Sequence, residues 1–410
     1  MARDLADTGP ESVGLTSAGL DAVDAGLQEQ IDLGQLAGAV TLVARHGRVA
    51  RRSVLGLKDI ATDTPLAEDT IFRIYSMTKP VTAVAMMILH DQGLWTHDDP
   101  IAKFLPAFAK MQVLDGVNAD GSPRLVPTDH PPTVGEVMTH TAGLTYGWEE
   151  DYLGRLYKAA NIWGGVSLAD FAERVASLPL AYQPGSKWVY SISMDIQGAI
   201  IEAITGETLA DFMRTRIFEP LGMVDTGFYV PEDKRGRLAT LYRSSRTKGL
   251  QPLERPPMLG DNLSPPKVPS GGGGLVSTLG DYARFAQMLL NKGELAGARI
   301  LSPEAVALMS ANHLSDALIH GGFGVGHQAI RPGFGYGYNC AVFMDPDLAG
   351  LPVGKGTFQW DGAAGTWFWI DPENDLIFVG MIQRLSMIVD QVNPQKLTQQ
   401  LLAGAIVKGG

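Results

Sequence analysis

The sequence predicts an α+β fold, with a sheet-containing domain built from both ends of the chain and a mostly helical domain in the middle. Three observations predict it. A helical segment is followed at once by two strand-like runs, the middle carries helical spacing broken by Pro- and Gly-containing loops, and the last third reads as successive strands. The expected division is 1–100 with 270–410 for the α/β domain and 101–269 for the helical one, with an active site between them.

Each element has a local reason. Leu20, Val23, Leu27 and Ile31 share one face of a helix over Thr16 to Leu33, and Gly34 ends it. Ala39–Ala44 and Val49–Leu55 are strand-like and joined by a turn at His46-Gly47, so the basic stretch Arg45 to Arg52 is expected to be a solvated hairpin. Met77 to Gln92 is apolar on most sides and closes on Gly93, which predicts a buried helix. Further helices are expected at Thr133–His140, Ser167–Ser177, Met194–Thr205 and Leu209–Ile217, with Asp115–Pro132 as a long polar surface insertion. A Pro-rich passage from Pro252 to Pro269 leads into Gly271–Gly274, the expected return to the first domain. A helix at Asp281–Asn291, strands at Gly335–Met344, Gly365–Ile370 and Leu376–Gln383, and a last helix from Asn393 to Ile406 complete the chain.

With 410 residues, 45% of them hydrophobic and 19% charged, the chain has ample apolar material for a large core. Its formal charge of 33 − 44 = −11 argues against a nucleic-acid partner, which would need clustered Lys and Arg. A lone cysteine, Cys340, excludes an internal disulfide and any multi-cysteine metal site. The eight histidines show no His-Glu-x-x-His and no paired ligand spacing, so neither metal nor cofactor is expected. No apolar run reaches the roughly 18 residues a membrane span needs, and the start lacks a signal-like apolar stretch. A cytoplasmic protein with no membrane partner is the expectation. Two glycine runs fail as nucleotide motifs: Gly350 to Gly356 lacks the phosphate-loop spacing, and Gly322 to Gly326 lacks the dinucleotide fingerprint.

The most informative tetrapeptide is Ser76-Met77-Thr78-Lys79, at the start of the buried helix. Positions i and i+3 lie on one helical face, so the Ser76 hydroxyl and the Lys79 amine come within reach of each other. Free N–H groups at a helix start also favour a developing oxyanion. Taken alone, the pattern is common by chance and reads first as a capping serine with a surface lysine, but a lysine on a mostly apolar helix is costly without a role. The Gly-x-Ser-x-Gly nucleophile elbow is absent. Two more segments join the candidates: Pro184-Gly185-Ser186-Lys187-Trp188-Val189-Tyr190-Ser191, with a tyrosine on a turn, and Trp360-Asp361-Gly362-Ala363-Ala364-Gly365, before a strand. Read singly, Tyr190 is also an ordinary half-buried aromatic and Trp360 a core residue.

Together these segments resemble the serine β-lactamase and DD-peptidase superfamily, specifically the family VIII carboxylesterases that share the class C β-lactamase fold. The resemblance spans nearly the whole chain and rests on IYSMTKPVTA (74–83), EVMTHTAGL (136–144), PGSKWVYS (184–191), EPLGMVDTGF (219–228), GGGGLVSTLGDYARF (271–285) and WDGAAGTWFWIDP (360–372), in the family's order. It implies an α/β sandwich with an antiparallel sheet flanked by helices. It further implies Ser76 as nucleophile, Lys79 as its partner, Tyr190 as general base and later proton donor, and the N–H groups of Ser76 and Ala363 as an oxyanion hole. A phenol of pKa ~10 next to an ammonium would favour the phenolate, but the sequence leaves open which of Lys79 and Tyr190 holds the proton at rest, and the two are read as one coupled unit.

The chain departs from the penicillin-recognising members where those bind a carboxylate. Their Lys-Thr/Ser-Gly is here Trp360-Asp361-Gly362, and the Asn of their Tyr-x-Asn is Ile192. An acid in place of a cation repels an anionic substrate, by about 4 kcal/mol at ~4 Å in a medium of effective dielectric near 20. Arg384 is the one nearby candidate for a replacement cation. Neutral acyl esters are therefore the expected small-molecule partner, hydrolysed by a serine carboxylesterase acting as a monomer or homodimer. Acyl transfer to an alcohol or amine, β-lactam hydrolysis and a non-catalytic penicillin-binding-like role are the competing readings. Trp360, Asp361, Gly362, Tyr146, Trp148 and Trp188 are the candidate substrate-binding residues.

Overall fold

The computed structural model describes residues 3–245, 247–253, 256, 260–321, 323–325, 328–385 and 392–407. Of the segments singled out above, Pro257 of the Pro-rich passage and Gly322 and Gly326 of the glycine run lie outside the described residues.

A central sheet is laid down by both ends of the chain. The first hairpin, β1 (Gly38–Arg45) and β2 (Arg48–Asp59), turns on His46 and Gly47, both at positive φ. The last third supplies β3 (Phe334–Tyr336), β4 (Ala341–Phe343), β5 (Phe358–Asp361), β6 (Trp367–Asp371) and β7 (Leu376–Met381). Their order is β2-β1-β7-β6-β5-β4-β3, every neighbour antiparallel, and Ala6–Asp7 adds a short parallel strand outside β2.

Both faces of the sheet are covered, which explains why β1 and β7 are buried along their whole length. Alternate residues of a strand face opposite sides. Ala39, Val43, Leu376 and Phe378 pack with Leu20, Val23 and Leu27 of α1 (Ser17–Asp32). Val40, Leu42, Ile377 and Val379 pack into the larger core with α2 (Thr78–Asp91). That larger core continues through α3 (Ser193–Thr205) and α4 (Leu279–Leu290), while Leu402 of α5 (Pro394–Ala403) joins the α1 side. Between α2 and α3 the expected short helices form at Val134–Met138 and Leu168–Ala176, each capped by a Thr or Ser side chain.

Three expectations need correction. The Arg45–Arg52 hairpin is not solvated: Arg45 is buried, donating to the carbonyls of Val13, Gly14 and Asn374, and Arg51 pairs with Asp21 and Asp24 of α1. Gly335–Met344 is a hairpin rather than one strand, because Asn339 takes a left-handed turn and Gly337 N–H bonds Cys340 O at 2.9 Å. The segment from Trp360 to Gly365 precedes a strand, β6, as expected, and its first two residues, Trp360 and Asp361, also end β5. The insertion at 115–132 is largely an exposed hairpin of Gln112–Val117 with Pro123–Pro127.

Candidate active site

Ser76 sits on a tight 3-10 turn, Tyr75–Met77, that feeds α2, rather than on α2 itself. Tyr75 immediately before it has φ +41, a left-handed conformation costing a bulky residue about 1–2 kcal/mol. The surroundings enforce it. Ile74 N–H bonds Leu275 O at 3.1 Å, Thr366 Oγ1 donates to Ile74 O at 3.2 Å, and the Gln383 side chain bonds both the N–H and the carbonyl of Arg73. Ser76 is thus held by chain segments far from it in sequence.

Lys79, in the first turn of α2, is fully buried. Its Nζ donates to Ser76 Oγ at 3.2 Å, Tyr146 OH at 3.1 Å and Gly272 O at 2.5 Å, and lies 4.6 Å from the centre of the Tyr190 ring. Burial pulls the ammonium down to about 7, a fall that Asp195 and Asp361 partly oppose. Tyr190 comes from the turn before α3, and its hydroxyl donates to Ser76 Oγ at 2.8 Å. Burial raises the phenol well above its ordinary value, and Asp361 and Asp195 push the same way against the Ser76 hydrogen bond. The resting proton therefore belongs on Tyr190, and Lys79 is the group poised to titrate near neutrality. The sequence alone leaves the place of that proton open between the two.

The third segment is docked onto the backbone just before Ser76. After β5, Gly362 N–H bonds Thr366 O at 2.7 Å and Gly365 N–H bonds Gly362 O at 2.8 Å, closing a turn with Ala363 exposed at its tip. A Cβ on Gly362 would stand 2.3 Å from Ile74 O, so only glycine lets this turn approach so closely. That contact places the Ala363 turn beside Ser76.

The aromatic candidates divide by burial. Trp360 and Trp188 are 1% and 2% exposed and meet Tyr336 edge-on around Tyr190, so they brace the phenol instead of facing an open pocket. Tyr146 is half-buried and tied to Lys79, and Trp148, 57% exposed, lies flat on it with ring centres 4.2 Å apart. Asp361 is half-buried and acts electrostatically on both Lys79 and Tyr190. Arg384 does not replace the missing cation, because its guanidinium turns away to Gln35 O at 2.8 Å. Ile192 is buried at the start of α3. Behind the turn carrying Ser270 and Gly274 lies a cavity of 340 Å³ lined in part by Trp163, Phe228 and Val268.

Three residues of this centre escaped the sequence reading as site residues. His140, buried and at φ +60, accepts the Ser191 N–H at Nδ1, 3.2 Å, and packs its ring 4.8 Å from that of Tyr190. Burial and the nearby Lys79 hold it well below its ordinary range, so it stays neutral. Asp195 and Ser270 form the third side, joined at 2.6 Å. The available signal was an acid in the first turn of a largely apolar helix, five residues after Tyr190. Among the described residues no helix is long and apolar enough to cross a membrane.

The Beta-lactamase family profile matches residues 23–401. A Mycobacterium tuberculosis protein, Rv1367c, is 39% identical over 370 residues, 89% of this chain and 90% of its own. Esterase EstB of Burkholderia gladioli is 36% identical over 373 residues, 86% of each chain. The solved structure of EstCE1, a hydrolase with promiscuous acyltransferase activity, superposes with a TM-score of 0.77 at 27% identity, covering 95% of this chain and 98% of that one.

Proposed function

The chain belongs to the Beta-lactamase family, among relatives that include an esterase, and from that premise we propose that it is a family VIII-type serine carboxylesterase acting through a Ser76 acyl-enzyme. The observation that carries this reading is the convergence of Lys79 Nζ and Tyr190 OH on Ser76 Oγ, at 3.2 Å and 2.8 Å. Neutral Lys79 takes the Ser76 proton as Oγ bonds the ester carbonyl carbon. The carbonyl oxygen becomes an oxyanion received by the N–H groups of Ser76 and Ala363. Collapse breaks the ester C–O bond, and the departing alkoxide takes the Tyr190 proton, which the Lys79 ammonium then replaces. Water repeats the sequence on the acyl-enzyme and frees the acid.

Asp361 beside Lys79 and the outward-turned Arg384 favour neutral esters over carboxylate-bearing substrates. The proposed substrates are esters of short- to medium-chain acids. Because the base must be neutral, kcat/KM should rise as pH increases through about 7 and level off above it; initial rates on p-nitrophenyl butyrate across that range check this. A rate flat with pH would remove Lys79 as base.

The test of the reading combines intact mass after a fluorophosphonate probe with a substrate panel. A single adduct on Ser76, and turnover of p-nitrophenyl butyrate at least about a hundredfold faster than that of a chromogenic cephalosporin, is the expected result. No adduct, or cephalosporin turnover as fast as ester turnover, would sink it. Acyl transfer is the second reading, favoured by the likeness to EstCE1; an added alcohol that diverts product from acid to ester would mark it.

A further inference from the structure

Asp195 is a fully buried carboxylate in the first turn of α3 that the acyl-enzyme chemistry does not use. Its Oδ1 accepts Ser270 Oγ at 2.6 Å and Gly272 N–H at 3.0 Å. Its Oδ2 is buried and has no hydrogen-bond partner among the described residues. Gly272 faces both charges: its N–H goes to Asp195 and its carbonyl takes the Lys79 ammonium at 2.5 Å. A Cβ on Gly272 would stand 2.9 Å from Asp195 Oδ2 and 3.3 Å from Tyr146 OH, so the missing side chain keeps the path from carboxylate to ammonium open.

We propose that Asp195 is a positioning residue which, through Ser270 and Gly272, fixes both the place and the charge of Lys79, so that the pH at which Ser76 becomes reactive is set by an acid that never touches substrate. A buried carboxylate is costly unless a cation answers it. Lys79 is the cation that answers it here. The groups facing Lys79 are Asp195 from α3, Asp361 from the end of β5, and Tyr146, Tyr190 and His140 from the loops; only the two acids favour the ammonium, and Asp195 acts more strongly than Asp361. Burial raises Asp195 itself, while Ser270, Lys79 and Gly272 oppose that rise and stabilise its anion.

The inference rests on the acyl-enzyme reading, and its test separates the two. The rate of fluorophosphonate labelling of Ser76 against pH reports nucleophile activation without any choice of substrate. Asp195→Asn removes the charge while its amide oxygen can keep both hydrogen bonds. Removing the acid lowers the proton affinity of Lys79, so the labelling limb should move to lower pH by about one unit, with the thermal midpoint little changed. Ser270→Ala, which weakens the hold on the carboxylate without touching it, should move the limb the same way by a smaller amount. Should Asp195→Asn fail to fold, Ser270→Ala carries the test alone. Limbs superposable on wild type in the folded variants overturn the inference and leave the esterase reading standing. No Ser76 adduct in wild type overturns the esterase reading, and the inference falls with it.

Discussion

Replacing Ser76 with Ala is expected to lower kcat/KM for p-nitrophenyl butyrate by about ten-thousand-fold or more while leaving the melting temperature nearly unchanged. Nothing in the fold depends on the hydroxyl. Ser76 is half-buried, and its oxygen contributes only the two hydrogen bonds it accepts from Lys79 and Tyr190. With the hydroxyl gone, Lys79 keeps its bonds to Gly272 O and Tyr146 OH. What disappears is the atom that forms the acyl bond, and the oxyanion donors alone give only residual acceleration over water. Initial rates, with intact mass to confirm the loss of the acyl or fluorophosphonate adduct, are the measurement. Retention of more than about a tenth of wild-type activity would place the nucleophile elsewhere.

The second large effect is at Tyr190, and its size should depend on the substrate. In Tyr190→Phe the ring keeps its packing against His140 and Trp360, but the hydroxyl 2.8 Å from Ser76 Oγ is lost. If the phenol is the acid that protonates the leaving group, an alkyl butyrate, whose alkoxide leaves poorly without a proton, should slow by about a thousandfold or more. A p-nitrophenyl ester, whose phenolate leaves unaided, should slow by only about tenfold to a hundredfold. Equal losses on both substrates would mean that Tyr190 acts before leaving-group departure, as the base that the resemblance implied.

How much of this could be read beforehand varies with how local the cause is. The hairpin at His46-Gly47 and the helix ending at Gly93 were legible because a few neighbouring residues determine them. Ser76 and Lys79 were legible because a three-residue spacing brings them together whatever surrounds them. Their state of charge was not. Two carboxylates at Asp195 and Asp361 and complete burial decide it, and burial comes from segments far away in sequence. The two buried tryptophans illustrate the same limit: Trp188 and Trp360 follow the motifs, but whether an indole faces a ligand or the back of a phenol depends on which strand or turn is laid over it. Arg384 was a reasonable candidate cation by position, and the backbone carbonyl of Gln35, on the opposite stretch of chain, decided its direction.

The sheet order has a consequence for how the protein is made. β1 lies between β2 and β7, yet β7 leaves the ribosome only after most of the chain has been translated. At about 5–20 residues per second, that interval of about 330 residues lasts roughly 15–65 s. Throughout it the apolar strand β1 has one open edge, and α1 lacks most of the surface it will cover. The nascent protein therefore carries its Ser76 segment early but cannot close the layer beneath it until β7 has emerged, so the open edge of β1 needs protection from pairing with other chains for that whole interval.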